Sequence, residues 1–297
     1  MSVLIVIPAR YDSQRYPGKP LAMLTGATGE ARSLIHRSWL AAKAVEIADR
    51  VVVATDDDRI KQAAEAFGAE VVMTSSTCRN GTERCAEVAR GIGADYEVIV
   101  NLQGDAPLTP AWFIDGIVAG LRADPAAAIS TPVLRCDGAT LNGFRTDRAN
   151  GRVGGTTAVF AADGAALYFS KEVVPFTSDT YADDAATPVF HHVGVYAYRQ
   201  ASLAAYGLMD VGPLELLEGL EQLRFMENGH RVACVEVDAR GRSFWELNNP
   251  ADIPVIPLRA MQAALEDGPA SEMIPEMKIR SEPETMVTDT VDETLPP

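Results

Sequence analysis

Short apolar segments alternate with helix-forming segments through the first 123 residues, and this alternation restricts the fold more than any other feature of the sequence. Four buried strands are predicted, at residues 3–7, 50–55, 71–73 and 97–102. Helices are predicted at residues 33–48, at 58–67 with Asp57 or Asp58 as the cap, at 82–92 and at 111–123. Strands and helices that alternate in this way predict a parallel sheet with right-handed crossovers.

The pattern changes after residue 123. Strand-like segments then follow at residues 127–134, 156–161, 166–170, 189–198 and 231–237. Their connections are longer and rich in Gly and Asp, so we expect mixed or antiparallel pairing here. Helices are predicted at residues 213–226 and 250–265. The expected fold class is α/β: a Rossmann-like, three-layer domain over residues 1–265 with a mostly parallel sheet, to which about residues 135–200 add a mixed or antiparallel subdomain.

The net charge of −15 is unevenly distributed along the chain. Residues 266–297 contain nine acidic and two basic residues, a net −7, which leaves −8 for the first 265 residues. This tail has little apolar content, which predicts an acidic, disordered segment. An acidic chain is not expected to bind nucleic acid. An anionic ligand remains possible, because charges are screened over about 8 Å at physiological salt and a local cluster of cations decides.

The cysteines and the hydropathy favour a cytoplasmic protein with no membrane partner. Cys78, Cys85, Cys136 and Cys234 form no Cys-x-x-Cys pair, which predicts reduced, partly buried thiols rather than a zinc site. The sequence has no basic-then-apolar signal at its start. No apolar run approaches the roughly 20 residues that span a bilayer.

A basic loop follows the first predicted strand. Its cations are Arg10, Arg15 and Lys19, and helix-breaking residues surround them: Pro8, Pro17, Gly18 and Pro20. Open α/β sheets bind ligands at the carboxyl ends of their strands, so three cations on a shaped loop there suit a polyphosphate. A solvated surface loop is the alternative. The loop is not a Walker loop, since Pro20 follows Lys19, and it lacks the Gly-x-Gly-x-x-Gly turn.

Residues 6–20 (VIPARYDSQRYPGKP) resemble the N-terminal signature of the sugar-activating cytidylyltransferases, and most closely that of the 3-deoxy-manno-octulosonate cytidylyltransferase family. The resemblance recurs at residues 80–84 (NGTER), 101–105 (NLQGD), 166–170 (ALYFS), 192–196 (HVGVY) and 220–224 (LEQLR). It runs through most of residues 3–255. It implies a glycosyltransferase-A-like nucleotidyltransferase fold, in which the smaller subdomain serves sugar binding and dimerisation.

The resemblance also implies an activity and a set of site residues. CMP would pass from CTP to the anomeric hydroxyl of 3-deoxy-manno-octulosonate (Kdo), an acidic sugar, with Mg²⁺ as cofactor, in a homodimer that serves lipopolysaccharide or capsule synthesis. The implied catalytic residues are Arg10, Arg15, Lys19 and Asp105. The implied nucleotide-binding residues are Pro8, Ala9, Arg10, Thr55, Asp56, Asn80, Gly81, Thr82 and Arg84. The implied sugar-binding residues are Gln103, His192, Tyr196, Glu221 and Gln222. The implied metal ligands are Asp105 and Asn248, with Glu246 as a substitute.

The residues themselves support these roles only in part. Asp105 follows a predicted strand, and Mg²⁺ prefers such an oxygen ligand beside phosphates, although a turn aspartate is the alternative. The 80–84 motif opens a helix whose first N–H groups suit an anion or a base edge, with Arg84 expected to approach the basic loop; simple capping by Thr82 gives the same pattern. His192 and Tyr196 share a strand face, although a satisfied core histidine is equally consistent. If Glu221 and its neighbour lie on a helix, they point about 100° apart, so only one is expected to face the sugar fully.

Three positions depart from the family pattern. Ala106 stands where an acidic residue is common, Thr157 where a lysine is common, and Asn248 where an aspartate would bind metal. Glu246 lies two residues before Asn248 and would share its strand face, so it could supply the missing charge. These departures leave two alternatives open. The chain could activate a different ulosonic acid, such as 8-amino-Kdo or a nonulosonic acid, or it could be an inactive nucleotide-binding paralogue.

Overall fold

The computed structural model describes residues 2–12, 16–25, 29–153 and 155–241. Its strands are β1 (Val3–Pro8), β2 (Met23–Thr25), β3 (Ala31–Ser33), β4 (Arg50–Thr55), β5 (Glu70–Met73), β6 (Val98–Leu102), β7 (Ala127–Asp137), β8 (Thr156–Phe160), β9 (Ala166–Ser170), β10 (Ala186–His192), β11 (Val195–Arg199) and β12 (Arg231–Glu236). Its α-helices are α1 (Leu34–Lys43), α2 (Asp58–Ala66), α3 (Gly81–Arg90), α4 (Ala111–Ala123), α5 (Gly138–Ala149), α6 (Gln200–Ala205), α7 (Pro213–Glu218) and α8 (Leu223–Glu227). Single 3-10 turns lie at Lys19–Leu21, Ile92–Asp95 and Tyr206–Leu208.

The first part of the main sheet is parallel, with β1 near its centre. β4 pairs with one edge of β1 and β6 with the other, and β5 pairs with β4. Ile5 and Ile7 pack with α1 and α4 on one face, whereas Leu4 and Val6 pack with α3 on the other. Burial on both faces explains why the sequence of this strand has no polar side. The predicted α/β class and the alternation of strand and helix are confirmed.

The second part of the sheet is joined to the first by β11, which pairs with β6 on one edge and with β7 on the other. β10 and β11 both pair antiparallel with β7, and the strand path from β10 to β11 is interrupted at Val193 and Gly194. Along its other edge, β11 pairs with β6, and β10 pairs with β8. The order is therefore β5-β4-β1-β6-β11-β7-β10-β8-β9, with β12 parallel to β7. The expected mixed pairing is confirmed, and His192 lies at the interruption.

The helix predicted over residues 213–226 is wrong. Two short helices, α7 and α8, lie there, and Gly219 ends the first of them with a left-handed φ of 62°. Leu216 and Leu217 are 73% and 82% exposed, whereas Leu223 is fully buried. The leucines therefore do not form one buried stripe, and their helical spacing was misleading.

Other element boundaries also differ from the prediction. The helix α5 was missed; its N-cap is Asp137, whose side chain accepts the Thr140 N–H at 2.8 Å, and Leu141 is buried beneath it. The short helix α6 was also missed. The helix predicted to reach residue 48 ends at Lys43. The strand predicted over residues 189–198 is divided into β10 and β11.

The structure also bears on the predictions about membrane-spanning helices and about the cysteines. Within the described ranges, no helix combines the length and the apolar character needed to cross a membrane. All four cysteines are free thiols, and burial raises the pKa of Cys78 to about 11. Arg15, Glu246, Asn248, the helix predicted over residues 250–265 and the acidic tail lie outside the described residues. The division into a larger domain and a smaller subdomain stays a prediction.

Candidate active site

A basic and an acidic side chain meet at the carboxyl ends of β1 and β6. Lys19 follows β1 in the chain and Asp105 follows β6, and their Nζ and Oδ2 atoms are 2.6 Å apart. The two side chains are 12% and 33% exposed. The chain continues from β1 to β4 and β5 on one side and then returns to β6 on the other side of β1, so the sheet has its topological switch point here, where α/β sheets bind ligands. The structure thus brings together the two residues on which the predicted phosphate and metal roles depend.

Backbone contacts fix the loop that carries Lys19. The Gly18 N–H donates to the Tyr11 carbonyl at 2.9 Å, and the Lys19 N–H donates to the Tyr16 carbonyl at 3.2 Å. The loop therefore closes on itself before the chain enters the 3-10 turn at Lys19–Leu21. Arg10, which precedes this closure, is exposed, and its Nη1 donates to the Arg79 carbonyl at 3.1 Å.

Gly104 lets the loop after β6 lie directly against the end of β1. A Cβ atom at this position would be 2.7 Å from the Pro8 carbonyl oxygen, a distance that carbon does not tolerate. Ser38 of α1 donates its hydroxyl to the Gly104 carbonyl at 2.9 Å and holds the loop from the helix layer. The neighbouring Ala106 is fully buried, so the position that departs from the family pattern is packed inside the protein.

The start of α3 reaches the same cleft. Asn80 is its N-cap, and the Asn80 Oδ1 accepts the Glu83 N–H at 2.8 Å. The alternative that Thr82 caps the helix is therefore wrong. A Cβ at Gly81 would lie 3.1 Å from the Gln103 Oε1 and 3.3 Å from the Pro8 Cγ. Gly81 of the predicted nucleotide set thus lies between Pro8 and Gln103, which was assigned to the sugar.

The predicted cytidine side of the site is held by a buried arginine. Arg84 is 2% exposed, and its Nη2 lies 3.1 Å from the Asp56 Oδ1. The Arg84 Nη1 also donates to the Thr74 hydroxyl, and the Thr74 N–H donates to the Thr55 carbonyl at 2.9 Å. Arg84 was expected to approach the basic loop. It instead ties the ends of β4 and β5 together beside the cleft.

The anion at the start of α3 is a side chain of this protein. The Glu221 Oε2 accepts the Thr82 N–H at 2.9 Å, so it occupies a helix terminus that was expected to serve the nucleotide. Desolvation raises the pKa of the Glu221 carboxyl, and its hydrogen bonds to the helix oppose that shift. The Thr82 hydroxyl lies 3.3 Å from the Tyr198 hydroxyl. One residue of the predicted sugar set is therefore attached to the helix of the nucleotide set.

The remaining sugar residues form a buried, neutral cluster on the same face of the sheet as α3. The Tyr196 hydroxyl donates to the Gln222 Oε1 at 3.1 Å, and the rings of His192 and Tyr196 are 5.6 Å apart. The Thr131 hydroxyl donates to the Val195 carbonyl at 2.9 Å, so it accepts the N–H of His192, whose Nε2 is 2.9 Å away. Burial lowers the pKa of His192 to about 3, and this ring is therefore neutral at pH 7.

Glu221 accepts the Thr82 N–H and Gln222 accepts the Tyr196 hydroxyl, and the expectation that only one of them faces the sugar fully stays a prediction. They precede α8 rather than lying inside a continuous helix, so the expected separation of about 100° does not apply. A buried ion cluster holds this segment. Arg224, which is 2% exposed, donates from Nε and Nη2 to the Glu215 carboxylate at 2.7 and 2.6 Å and contacts Glu83 at 3.3 Å.

Two residues at the site were missed by the sequence analysis. Asn101 on β6 precedes Gln103 by two residues, so strand alternation places both on one face and could have identified it. Lys171 follows β9, and its Nζ would lie 3.1 Å from a Cβ at Gly219, beside the turn that leads to Glu221. No sequence motif of the chain marked this lysine.

Asp105 suits a magnesium ion, although it is paired with Lys19. Mg²⁺ is usually bound by one or two carboxylates together with substrate phosphates and water, so a single carboxylate beside a phosphate site is a suitable donor. The described part of the chain contains no group of three or more His, Cys, Asp or Glu residues that could hold a metal ion without substrate.

Thr157, which replaces a lysine, is buried and donates its hydroxyl to the Glu172 carbonyl at 2.6 Å.

Comparisons with known proteins identify relatives over most of the chain. The sequence profile described as "Cytidylyltransferase" matches residues 4–232. The 3-deoxy-manno-octulosonate cytidylyltransferase of Maricaulis maris is 47% identical over 252 residues, which is 85% of this chain and 94% of that protein. The enzyme of the same name from Chlamydia pneumoniae is 41% identical over 249 residues, covering 84% and 89%.

A solved structure is similar over almost the same length. It is that of CMP:2-keto-3-deoxy-manno-octonic acid synthetase complexed with CTP. The two chains superpose with a TM-score of 0.72 at 32% sequence identity, over 86% of this chain and 97% of the other.

Proposed function

This chain belongs to the 3-deoxy-manno-octulosonate cytidylyltransferase family, and on that premise we propose that it transfers CMP from CTP to the anomeric hydroxyl of Kdo, giving CMP-Kdo and pyrophosphate. The observation that carries the proposal is the meeting of Lys19 and Asp105, 2.6 Å apart, at the switch point of the sheet. A cation for phosphate and a carboxylate for Mg²⁺ are the two groups that a nucleotidyl transfer needs side by side.

The part of the site that contains Arg10, Lys19 and Asp105, here called the nucleotide end, binds the charged phosphates of CTP and orients the α-phosphorus. Lys19 exchanges Asp105 for phosphate oxygens of CTP, and Arg10 lies on the same loop to neutralise the departing pyrophosphate. The oxygen of the anomeric hydroxyl forms a bond to the α-phosphorus as the bond to pyrophosphate breaks, and the hydroxyl releases its proton to solvent water. Mg²⁺ held by Asp105, when bound, neutralises phosphate charge and lowers the pKa of that hydroxyl. Arg15, Glu246 and Asn248 keep their predicted roles as proposals.

The part of the site that contains His192, Tyr196 and Gln222, here called the acid end because it would bind the ulosonic acid, holds its ligand mainly by neutral hydrogen-bonding groups. His192 is neutral at pH 7 and already bonded to Thr131, so it serves as a fixed neutral group rather than as a base or a cation. Tyr196 and Gln222 offer polar atoms from the same face. Lys171, beside Gly219, supplies the positive charge that the carboxylate of an ulosonic acid requires.

The proposal includes a homodimer that works in the cytoplasm, in lipopolysaccharide or capsule synthesis. Support for a second copy comes from exposed apolar side chains before and within α7, since monomeric proteins rarely expose such clusters. They are Leu208, Leu214, Leu216 and Leu217. Analytical ultracentrifugation of the purified chain tests this part: a monomer at micromolar concentration contradicts it.

The decisive experiment for the activity is pyrophosphate release by the full chain with CTP, Mg²⁺ and Kdo, with CMP-Kdo identified by mass spectrometry. UTP in place of CTP is the nucleotide control. We expect turnover with CTP and Kdo, and none when either is left out. The absence of pyrophosphate release with Kdo would overturn the proposed substrate.

A second substrate is favoured by one observation. Thr157, where the family commonly has a lysine, bonds the backbone of the segment after β9, so no cation stands at that place. The same assay with 8-amino-Kdo and a nonulosonic acid therefore distinguishes a different ulosonic acid from Kdo. Binding of CTP without turnover for any of the three acids would identify an inactive paralogue.

A further inference from the structure

Asn101 is a fully buried amide that has no hydrogen-bond partner among the residues that the structure describes. Its side chain is on β6 and is 0% exposed, and neither Oδ1 nor Nδ2 is hydrogen-bonded within the described part of the chain. An unpaired buried amide lowers stability, because it loses its bonds to water and gains none in return. The other residues of β6 are Val98, Ile99, Val100 and Leu102, so an apolar side chain would suit this strand.

The position of Asn101 connects it with the acid end of the site. Tyr196 of β11 lies directly opposite Asn101 in the strand register, and Gln103 follows on the same face two residues later. Val6 of β1 is its other register neighbour. Asn101 therefore lies between the strand that leads to the basic loop and the strand that carries Tyr196.

A second unpaired amide lies next to the same tyrosine. Gln222 is 1% exposed and accepts a hydrogen bond from the Tyr196 hydroxyl, but its Nε2 has no partner in the described ranges of the chain. Two buried amides with unused donors and an unused acceptor are thus neighbours of Tyr196, Asn101 through the strand register and Gln222 through its hydrogen bond. Proteins satisfy nearly all buried polar groups, so two such failures around one side chain at a candidate site point to a ligand that completes them.

We propose that Asn101 is a recognition residue for the hydroxylated acid, and that its carboxamide gains its hydrogen bonds when the acid is bound. A sugar hydroxyl both donates and accepts, which matches the Nδ2 donor and the Oδ1 acceptor of one amide. Asn101 is closed off from solvent, so the acid reaches it when the Tyr196 side chain moves, a movement that also releases Gln222. This inference rests on the proposed function and adds a specificity residue to it.

The variant Asn101→Leu separates recognition from structure, because leucine keeps the branching and the number of heavy atoms of asparagine and removes both polar atoms. Without ligand, we expect its Tm to rise by about 2–4 °C, since an unpaired amide is lost. We expect the KM for the acid to rise at least tenfold and the KM for CTP to stay within twofold. Asn101→Ser, which keeps a donor and an acceptor, should recover part of the acid affinity.

The matched control is Ile99→Val. Ile99 lies two residues before Asn101 and therefore on the same face of β6, and this variant should lower Tm without changing the KM for CTP or the KM for the acid. A KM for the acid within twofold of the parent protein in Asn101→Leu, or an equal loss for CTP and acid, would overturn the role. If the leucine variant does not fold, Asn101→Ser is used instead, and the rise in Tm that the acid induces in this variant is compared with the rise in the parent protein.

Failure of this inference and failure of the proposed function give different results. Turnover of Kdo by the unaltered chain tests the function, and the ratio between variant and parent tests Asn101. If another ulosonic acid is the substrate, the same ratio is measured with that acid. If no acid is turned over, the acid-induced rise in Tm of the parent and of Asn101→Leu is compared instead. An acid that protects both equally overturns the inference, and the absence of protection by every acid overturns it together with the function.

Discussion

At the nucleotide end of the candidate site Lys19 and Asp105 are charged and partly exposed. At the acid end His192 and Gln222 are buried and neutral. Lys19 and Asp105 keep contact with solvent and compensate one another's charge. His192 and Gln222 are at most 4% exposed and hold no net charge at pH 7. The negative charge of a triphosphate is neutralised by cationic groups, whereas the hydroxyl groups of a sugar are recognised by hydrogen bonds in a site that excludes water. The two ends should therefore fail in different ways when altered.

The largest expected effect is on stability at the acid end. Arg224→Met leaves the Glu215 and Glu83 carboxylates without their buried partner, and breaking such a pair costs about 3–5 kcal/mol. Denaturant unfolding measures the loss. Arg135→Met is the control, because its pair with Glu236 is 43% and 48% exposed and such pairs contribute less than about 1 kcal/mol. Similar losses in both variants would contradict the importance of burial at this end.

The next effect is on catalysis at the nucleotide end. Lys19→Ala should lower turnover by about 100- to 1000-fold, since a well-placed donor to developing phosphate charge is lost. Circular dichroism checks that the fold is kept, and Lys43→Ala, at the exposed end of α1, is the control. A loss of less than about threefold would show that the basic loop is not the phosphate site. We expect the same size of loss for Arg15→Ala.

A smaller effect is the dependence of stability on pH at the acid end. The pKa of His192 is lowered to about 3 by burial, whereas an unfolded chain binds the proton near pH 6.5. Below that pH the unfolded state binds more protons, so the stability is complete above pH 6.5 and falls toward pH 3. The loss from pH 7 to pH 5 is about 2 kcal/mol for this histidine.

Unfolding of His192→Gln measured at pH 7 and at pH 5 tests this loss, since the variant should lose about 2 kcal/mol less than the parent protein between these values. His191, whose pKa is lowered to about 4, remains in the variant and keeps part of the slope. An unchanged slope would show that His192 is not desolvated.

The smallest effect concerns a single hydroxyl. Tyr196→Phe removes the bond to Gln222, and a loss of about 1.4 kcal/mol in acid binding corresponds to a tenfold rise in the KM for the acid. The KM for CTP should stay within twofold. Steady-state assays with each substrate varied in turn make the measurement, and an equal change in both KM values would remove the distinction between the two ends.

The sequence located the nucleotide end better than the acid end, for a physical reason. β1 and the loop to Lys19 are specified locally, by an apolar run and by the breakers Pro17, Gly18 and Pro20. The α/β class followed from the same local pattern. Asp105 could be placed because parallel strands end at a common edge.

The acid end depends on contacts between distant parts of the chain. The Gly219 break between α7 and α8 overrides helical spacing, so the leucine pattern predicted one helix where two exist. The bond from Thr82 to Glu221 joins residues 139 positions apart, and no local pattern announces it. Asn101 was accessible through strand alternation, but its lack of a partner is visible only in three dimensions.

The bond between Glu221 and the first turn of α3 has a thermodynamic consequence. The carboxylate belongs to the segment that carries Gln222, and the helix belongs to the wall beside Pro8, so neither can be displaced without the other. A ligand that moves either segment would therefore change the free energy of binding at the other end. Linkage is reciprocal: whatever factor CTP applies to the affinity for the acid, the acid applies to the affinity for CTP.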